Sequence, residues 1–356
     1  MFEMPRIQKG RALLLALGVT VLSLIGVGLA IVALQPDEAP WEEVKSLLFE
    51  ADWVLLIAGM LAMCLGMLFV AIRWRCLLPD KEGIGPFDLT GIVCSGLLMN
   101  YAVPGPAGEF AAAYLVRERH QKPATVALAA SLHARFIGLG TAGVLAGFIG
   151  VLASLPIPPE HQNEIRVAIA LITIGALGVA TLSAYPSILV KISGVTAGAL
   201  GRRLKGRAGR LFSLLHRGVS DLAVALGEVG RLGFGAYAQA TLWALLAHLS
   251  VFIGIAIACS SMGIEPYLPG ILLSYCAATA AVIALIAFPG SQLGWDLFLV
   301  AFLKLTAGLS PAEAWAVVVV VRAQQLLLLI LGAGFLMRYT TTLDGNEEKL
   351  EGTKSG

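Results

Sequence analysis

The chain has 356 residues, of which 58% are hydrophobic types and only 13% are charged, with a formal net charge of +2. Soluble domains carry roughly twice that share of charge. A single aqueous core cannot take up so much apolar mass, so lipid must solvate much of it, and the near-neutral total points to no particular soluble partner.

The N-terminus carries Arg6, Lys9 and Arg11, followed by an uncharged run, Ala12–Leu34. That run is too long for the apolar core of a signal peptide and reads as a first membrane helix. The acidic stretch Gln35–Asp52 follows, then a second span, Trp53–Ile72, which ends at Arg73, Arg75 and Lys81. Leu89–Val103 is apolar but short and stops at Pro104-Gly105-Pro106; Arg117, Arg119 and Lys122 come next. Ala124–Leu155 and Val167–Val190 are long enough to cross a hydrocarbon core of about 30 Å. After the basic stretch Lys191–Arg231 comes another span, Phe234–Ser260. Leu268–Phe288 runs into Pro289-Gly290 and resumes as Leu293–Leu309, and Ala312–Met337 is the last span. The five cysteines, Cys64, Cys76, Cys94, Cys259 and Cys276, mostly sit in apolar runs without metal-site spacing and read as small apolar residues.

Loop cations orient the spans, because Lys and Arg collect on the cytoplasmic side. With the N-terminus inside, the clusters at Arg73–Lys81, Arg117–Lys122 and Lys191–Arg231 all fall inside, and only Lys45 and Arg166 fall outside. Arg135, Lys304 and Arg322 lie within the membrane segments. Both ends of Leu89–Val116 then share the inner face, which makes this segment a re-entrant hairpin turning at Pro104-Gly105-Pro106. The second broken region, Leu268–Leu309, dips in from the outer face.

The two halves match in order. Val103-Pro-Gly-Pro-Ala-Gly-Glu109 corresponds to Phe288-Pro-Gly-Ser-Gln-Leu-Gly-Trp-Asp296; Pro123-Ala124 and Pro311-Ala312 then open the next spans, which carry Arg135 and Arg322. The expected fold is therefore an all-α polytopic membrane protein with about six spanning helices and two opposed re-entrant hairpins in an inverted repeat, a recurrent transporter design. Residues 1–340 form one integral membrane domain: 12–190 is the first half, 191–231 a cytoplasmic basic amphipathic segment, and 234–337 the second half. Residues 341–356 are a short polar cytoplasmic tail.

Broken helices survive in lipid where protein or a wet cavity surrounds them. The half-helices leaving the tips begin near Ala107 and Leu293, and their N-terminal N–H groups favour an anion. Gly105, Gly108, Gly290 and Gly294 would allow a head group close backbone approach, or would merely make the tight turns. Asn100 and Tyr101, beside the first tip, satisfy the broken backbone or touch a head group. Arg135 and Arg322 lie about 10 or 11 residues into their spans, roughly 17 Å at helical rise, where an arginine faces the bundle interior with a partner. Glu109 and Asp296 are those partners. Structural ion pairs and lipid-phosphate binding both fit, since a pair can open for substrate. His133 and His248 read as hydrogen-bonded packing residues, and Lys304 and Glu313 as lying toward the outer surface.

In Leu200–Leu226, apolar residues recur at helical spacing among Arg202, Arg203, Lys205, Arg207, Arg210 and Arg217. This describes an amphipathic helix on the inner leaflet, either as a plain anchor or as a collector of anionic lipid. Nucleic-acid binding does not suit a helix held at the membrane. No nucleophile–base set, metal cluster or phosphate loop stands out, so neither an enzyme nor a cofactor is expected.

On the residues Pro104-Gly-Pro-Ala-Gly-Glu109, Arg117, Arg119, Arg135, Pro289-Gly290, Gly294, Gly308-Leu-Ser-Pro-Ala312 and Arg322, the chain resembles the lysylphosphatidylglycerol synthase transmembrane region, a flippase-like family. It departs from the family pattern at Phe110-Ala-Ala-Ala and at Gly294-Trp295-Asp296. The resemblance implies movement of a lipid with a polar head group across the bilayer; the expected substrate is a phosphate-bearing or aminoacylated lipid of a bacterial cytoplasmic membrane, and the loop charges place both termini inside. A small-anion transporter on the same architecture, or a non-transporting partner of an envelope-lipid biosynthetic enzyme, remains open. Membrane lipids are the expected partners.

Overall fold

The computed structural model describes residues 41–102, 107–157, 159, 162–184, 224–285 and 291–354. The expected first span, both Pro-Gly tips with Gly105 and Gly290, and the basic residues from Arg202 to Arg217 lie outside the described residues.

The helices are α1 (Trp41–Phe49), α2 (Trp53–Cys76), α3 (Pro86–Ala102), α4 (Ala107–His120), α5 (Ala124–Leu152), α6 (Gln162–Ala184), α7 (Phe234–Ser261), α8 (Leu268–Leu285), α9 (Ser291–Thr306) and α10 (Pro311–Lys354). There is no strand among the described residues. Among the described residues four helices, α2, α5, α7 and the Pro311–Arg338 part of α10, are long and apolar enough to cross a membrane. Val54, Ile57, Phe148, Val151, Leu171 and Ile174 are exposed on the outer faces of α2, α5 and α6. Apolar surface of that extent suits lipid, not water.

The helix starts follow local chemistry. The Asp52 carboxylate accepts from the Val54 and Leu55 N–H groups and caps α2. Ser310 and Glu313 form a reciprocal capping box at the start of α10: Ser310 N–H donates to Glu313 Oε2 at 2.7 Å, and Glu313 N–H donates to Ser310 Oγ at 3.2 Å. The stretch between the first two spans, expected as a loop, contains a short helix, α1, whose Trp41 ring lies 6.0 Å from that of Trp315. From residue 341 onward the polar sequence continues α10 to Lys354, with the good helix formers Glu, Lys and Leu in it.

One order of lengths occurs twice. A long helix, two short helices and a long helix make up α2–α5, and the same succession makes up α7–α10. The first helices of the two units, α2 and α7, run antiparallel: Asp52 N–H bonds the Ser261 carbonyl at 2.8 Å, Gly59 meets Gly254, and Gly66 meets Ala247. A Cβ on Gly59 would sit 2.8 Å from the Gly254 carbonyl oxygen, so only glycine permits this approach. The cross-contacts pair in the same way. Helix α3 packs on α10, with Ser95 Oγ donating to the Gly332 carbonyl at 3.0 Å, and α8 packs on α5.

Each pair of short helices is an antiparallel hairpin. In the first, Asp88 near the start of α3 bonds Arg119 and His120 at the end of α4. In the second, Tyr267 N–H donates to Ala307 O at 3.1 Å, and Gly270 abuts the Thr306 backbone. The open end of the first hairpin lies beside the C-terminus of α2, where Arg75 donates to Ile84 O at 2.6 Å. The open end of the second follows directly from the C-terminus of α7, which lies against the N-terminus of α2. The open ends of the two helix pairs therefore lie toward opposite ends of α2.

Candidate functional site

The inner ends of both hairpins carry the residues singled out by the repeat. Helix α4 begins at Ala107, as expected, and places Glu109 in its first turn. Glu109 forms an ion pair with Arg135, 11 positions into α5; the two side chains are 11% and 29% exposed. The second carboxyl oxygen of Glu109 is buried and has no hydrogen-bond partner among the described residues. Helix α9 places Asp296 against Arg322 of α10. Arg322 Nε donates to both Asp296 carboxyl oxygens, at 2.8 and 3.1 Å, and Nη2 lies 2.7 Å from Oδ1. Both residues are buried, and the Arg322 guanidinium lies 5.4 Å from the centroid of the Trp295 ring. The fork of donors matches the planar carboxylate, which gives such a pair its strength in a low-dielectric interior.

Tyr101, in the last turn of α3, reaches across the units to this second pair. Its hydroxyl accepts from Arg322 Nη1 at 2.7 Å and donates to Gln325 Oε1 at 2.5 Å. The inner end of the first hairpin thus meets the charged pair of the second half.

Other site candidates fall differently. Asn100 serves the broken backbone: its Oδ1 accepts from Gly108 N–H at 2.6 Å. That contact occupies one of the donors expected to attract an anion at the start of α4. Gly108, expected to let a head group approach, instead admits α3; a Cβ there would strike Gly96 O and the Asn100 amide. Gly294 is half-buried in α9. Lys304 is exposed and Glu313 caps a helix. His133 is fully buried, its Nδ1 3.3 Å from Ala129 O and its ring edge-on to Tyr237. His248 Nε2–H donates to Gly138 O at 2.9 Å, which leaves Nδ1 to accept from the Tyr275 hydroxyl at 3.4 Å.

Arg73 is the residue that sequence reasoning misplaced. It was expected among the cytoplasmic loop cations, but it lies in the last turn of α2 and is only 7% exposed. Its guanidinium rests on Gly138, at mid-length of α5. A signal was present. Positions 73 and 75 sit about 200° apart on a helix, so Arg73 and Arg75 cannot share one face.

A search of curated proteins found no match, and neither did a search of solved structures. The family model described as the lysylphosphatidylglycerol synthase TM region matches residues 11–332. That span takes in the first four-helix unit, the second as far as residue 332 of its last helix, and both ion pairs, and with it the chain belongs to the lysylphosphatidylglycerol synthase transmembrane region family, multi-pass membrane proteins associated with lipid metabolism or flipping.

Proposed function

We propose that the chain translocates a phosphate-bearing or aminoacylated lipid across a bacterial cytoplasmic membrane, with both termini cytoplasmic. The observation that carries this is the link from Tyr101 to Arg322 and Asp296, which joins the inner end of one hairpin to the charged pair of the other unit. A polar head group crossing a bilayer needs polar contacts at mid-depth, where an unpaired cation costs about 2.5–3.5 kcal/mol or more. Paired arginines lower that cost while the site is empty, and each pair can open toward a phosphate.

The antiparallel first helices and crosswise packing support an inverted repeat, in which each short pair is a re-entrant hairpin. With 14 to 18 residues apiece, the hairpin helices extend about 21–27 Å, short of a full crossing of about 30 Å. Rocking of one unit against the other would expose the site to each leaflet in turn, while the acyl tails stay in lipid. No chemical step is needed, so the chain acts as a transporter and not as an enzyme. An envelope-lipid biosynthetic enzyme is the partner class that would supply or consume the lipid.

The test is reconstitution into liposomes with fluorescent head-group-labelled phosphatidylglycerol and a membrane-impermeant quencher. Wild-type protein is expected to expose lipid from the inner leaflet. The neutral pair variant Glu109→Gln with Arg135→Gln is expected to slow this by at least about tenfold, the weight of one charge-assisted contact. Equal rates for the wild type, the pair variant and protein-free liposomes would end the proposal.

A further inference from the structure

Among the described residues three arginines are drawn into the helix interior, and two of them have carboxylates. Arg135 is paired with Glu109 and Arg322 with Asp296. No ion pair joins Arg73 to any described residue, and its Nε is buried without a hydrogen-bond partner among them. No carboxylate among the described residues pairs with Arg73. His248 is committed to the Gly138 carbonyl and to Tyr275.

The direction of the side chain is the second observation. Arg73 starts in the last turn of α2, from which a flexible arginine ordinarily extends outward to the interface. Arg75, two residues on, does bond outward, to Ile84 O in the connection to α3. Arg73 turns inward instead, to Gly138, and Gly138 makes the space: a Cβ there would lie 2.9 Å from the Arg73 Cζ. A buried cation without a counter-charge is costly unless an anion completes it.

We propose that Arg73 is the free phosphate-binding cation of this interior, taking the anionic oxygens of a phosphate ester. The inference rests on the translocation reading of the same interior and adds the residue that grips the head group before either arginine pair opens. A phosphodiester lipid and free inorganic phosphate offer the same oxygens to a guanidinium. The lipid is the expected source, and the two are separable by experiment.

The experiment uses the full chain in a nonionic detergent and follows thermal unfolding during titration with phosphatidylglycerol, diacylglycerol or inorganic phosphate. Phosphatidylglycerol is expected to raise the wild-type midpoint, and diacylglycerol to leave it unmoved. Arg73→Met is expected to weaken the apparent affinity for phosphatidylglycerol at least about tenfold. In lipid-free detergent its midpoint is expected to be unchanged or raised, since an uncompensated charge is gone. Lys81→Met, at an exposed cation near the same end, is expected to bind as wild type. Gly138→Ala displaces the guanidinium without removing it and is expected to weaken the same affinity. A response to inorganic phosphate that depends on Arg73 would make the source a free anion and keep the site. Wild-type affinity in the Arg73 and Gly138 variants, or a lowered lipid-free midpoint in Arg73→Met, would overturn it. Binding is read here without transport: a failed flipping assay with intact Arg73-dependent binding removes translocation alone, and the converse removes Arg73 alone.

Discussion

The Tyr101 hydroxyl stands between the two halves of the molecule, accepting from Arg322 Nη1 at 2.7 Å and donating to Gln325 Oε1 at 2.5 Å. Tyr101→Phe removes the oxygen and keeps the ring. A buried guanidinium donor is then left without that acceptor, at a cost of about 1–3 kcal/mol. Thermal unfolding in detergent should show the loss. Because the Asp296 pair persists, Tyr101→Phe should lower the midpoint less than any substitution of Asp296.

The two ion pairs should not contribute equally. Asp296 and Arg322 have side chains only 6% and 9% exposed, whereas Arg135 is 29% exposed. Breaking a buried pair from one side costs about 3–5 kcal/mol, and less as water reaches the survivor. Asp296→Asn is therefore expected to destabilise more than Glu109→Gln. Replacing both partners, as Asp296→Asn with Arg322→Gln, should regain part of the loss because no charge is stranded. Chemical unfolding of the three variants measures the order; a larger effect for Glu109→Gln would contradict it.

Much of this site was legible in the sequence because it depends on local spacing. A carboxylate five or seven residues after the first proline of each break, and an arginine some 30 residues after it, recur in both halves, and the pairs Glu109–Arg135 and Asp296–Arg322 form as that pattern suggests. The helix starts near the breaks were legible for the same reason. Arg73 was not: a count of loop cations treats every arginine next to a span as facing water, while the direction of a side chain is set by what packs beside it, here Gly138. The role of Gly108 was hidden too, because a glycine that admits a ligand and one that admits a helix look alike until the partner helix is in place. The Tyr101–Arg322 bond spans 221 positions, which no local pattern encodes.

The opposed ends of the bundle give a labelling prediction. Trp41 of α1 packs on Trp315, and Asp52 joins Ser261, so Glu42 and Glu265 belong to one end. Asp80 pairs with Lys122 and Asp88 with Arg119, so Lys81 and Glu118 belong to the other. In a background lacking the five native cysteines, single cysteines at 42 and 265 should react with an impermeant maleimide in intact cells. Cysteines at 81 and 118 should react only after permeabilisation. Labelling at 81 and 265 from the same side would break the opposed arrangement.

A close crossing of two long helices predicts where an added methyl is not tolerated. Gly59 and Gly254 bring the antiparallel α2 and α7 together at their backbones; a Cβ on Gly254 would meet Gly59 O at 2.6 Å and crowd Met63. Backbone atoms cannot move aside as a flexible side chain can, so an added methyl must push the helices apart. Overpacking of this kind costs about 1–3 kcal/mol. Gly254→Ala is expected to lower the unfolding midpoint by that order, and Gly254→Leu to abolish the folded protein. Gly235, in the first turn of the same helix with nothing within 4 Å of its position, is the control. Gly235→Ala should be neutral or stabilising by a few tenths of a kcal/mol, because alanine is the better helix former. Since α2 and α7 are the two equivalent first helices, Gly254→Ala should also slow any motion of one unit against the other. The measurement that separates packing from motion is flipping rate against unfolding midpoint across the series: a rate that falls for Gly254→Ala at temperatures well below its midpoint, while Gly235→Ala keeps the wild-type rate, places the moving contact at this crossing.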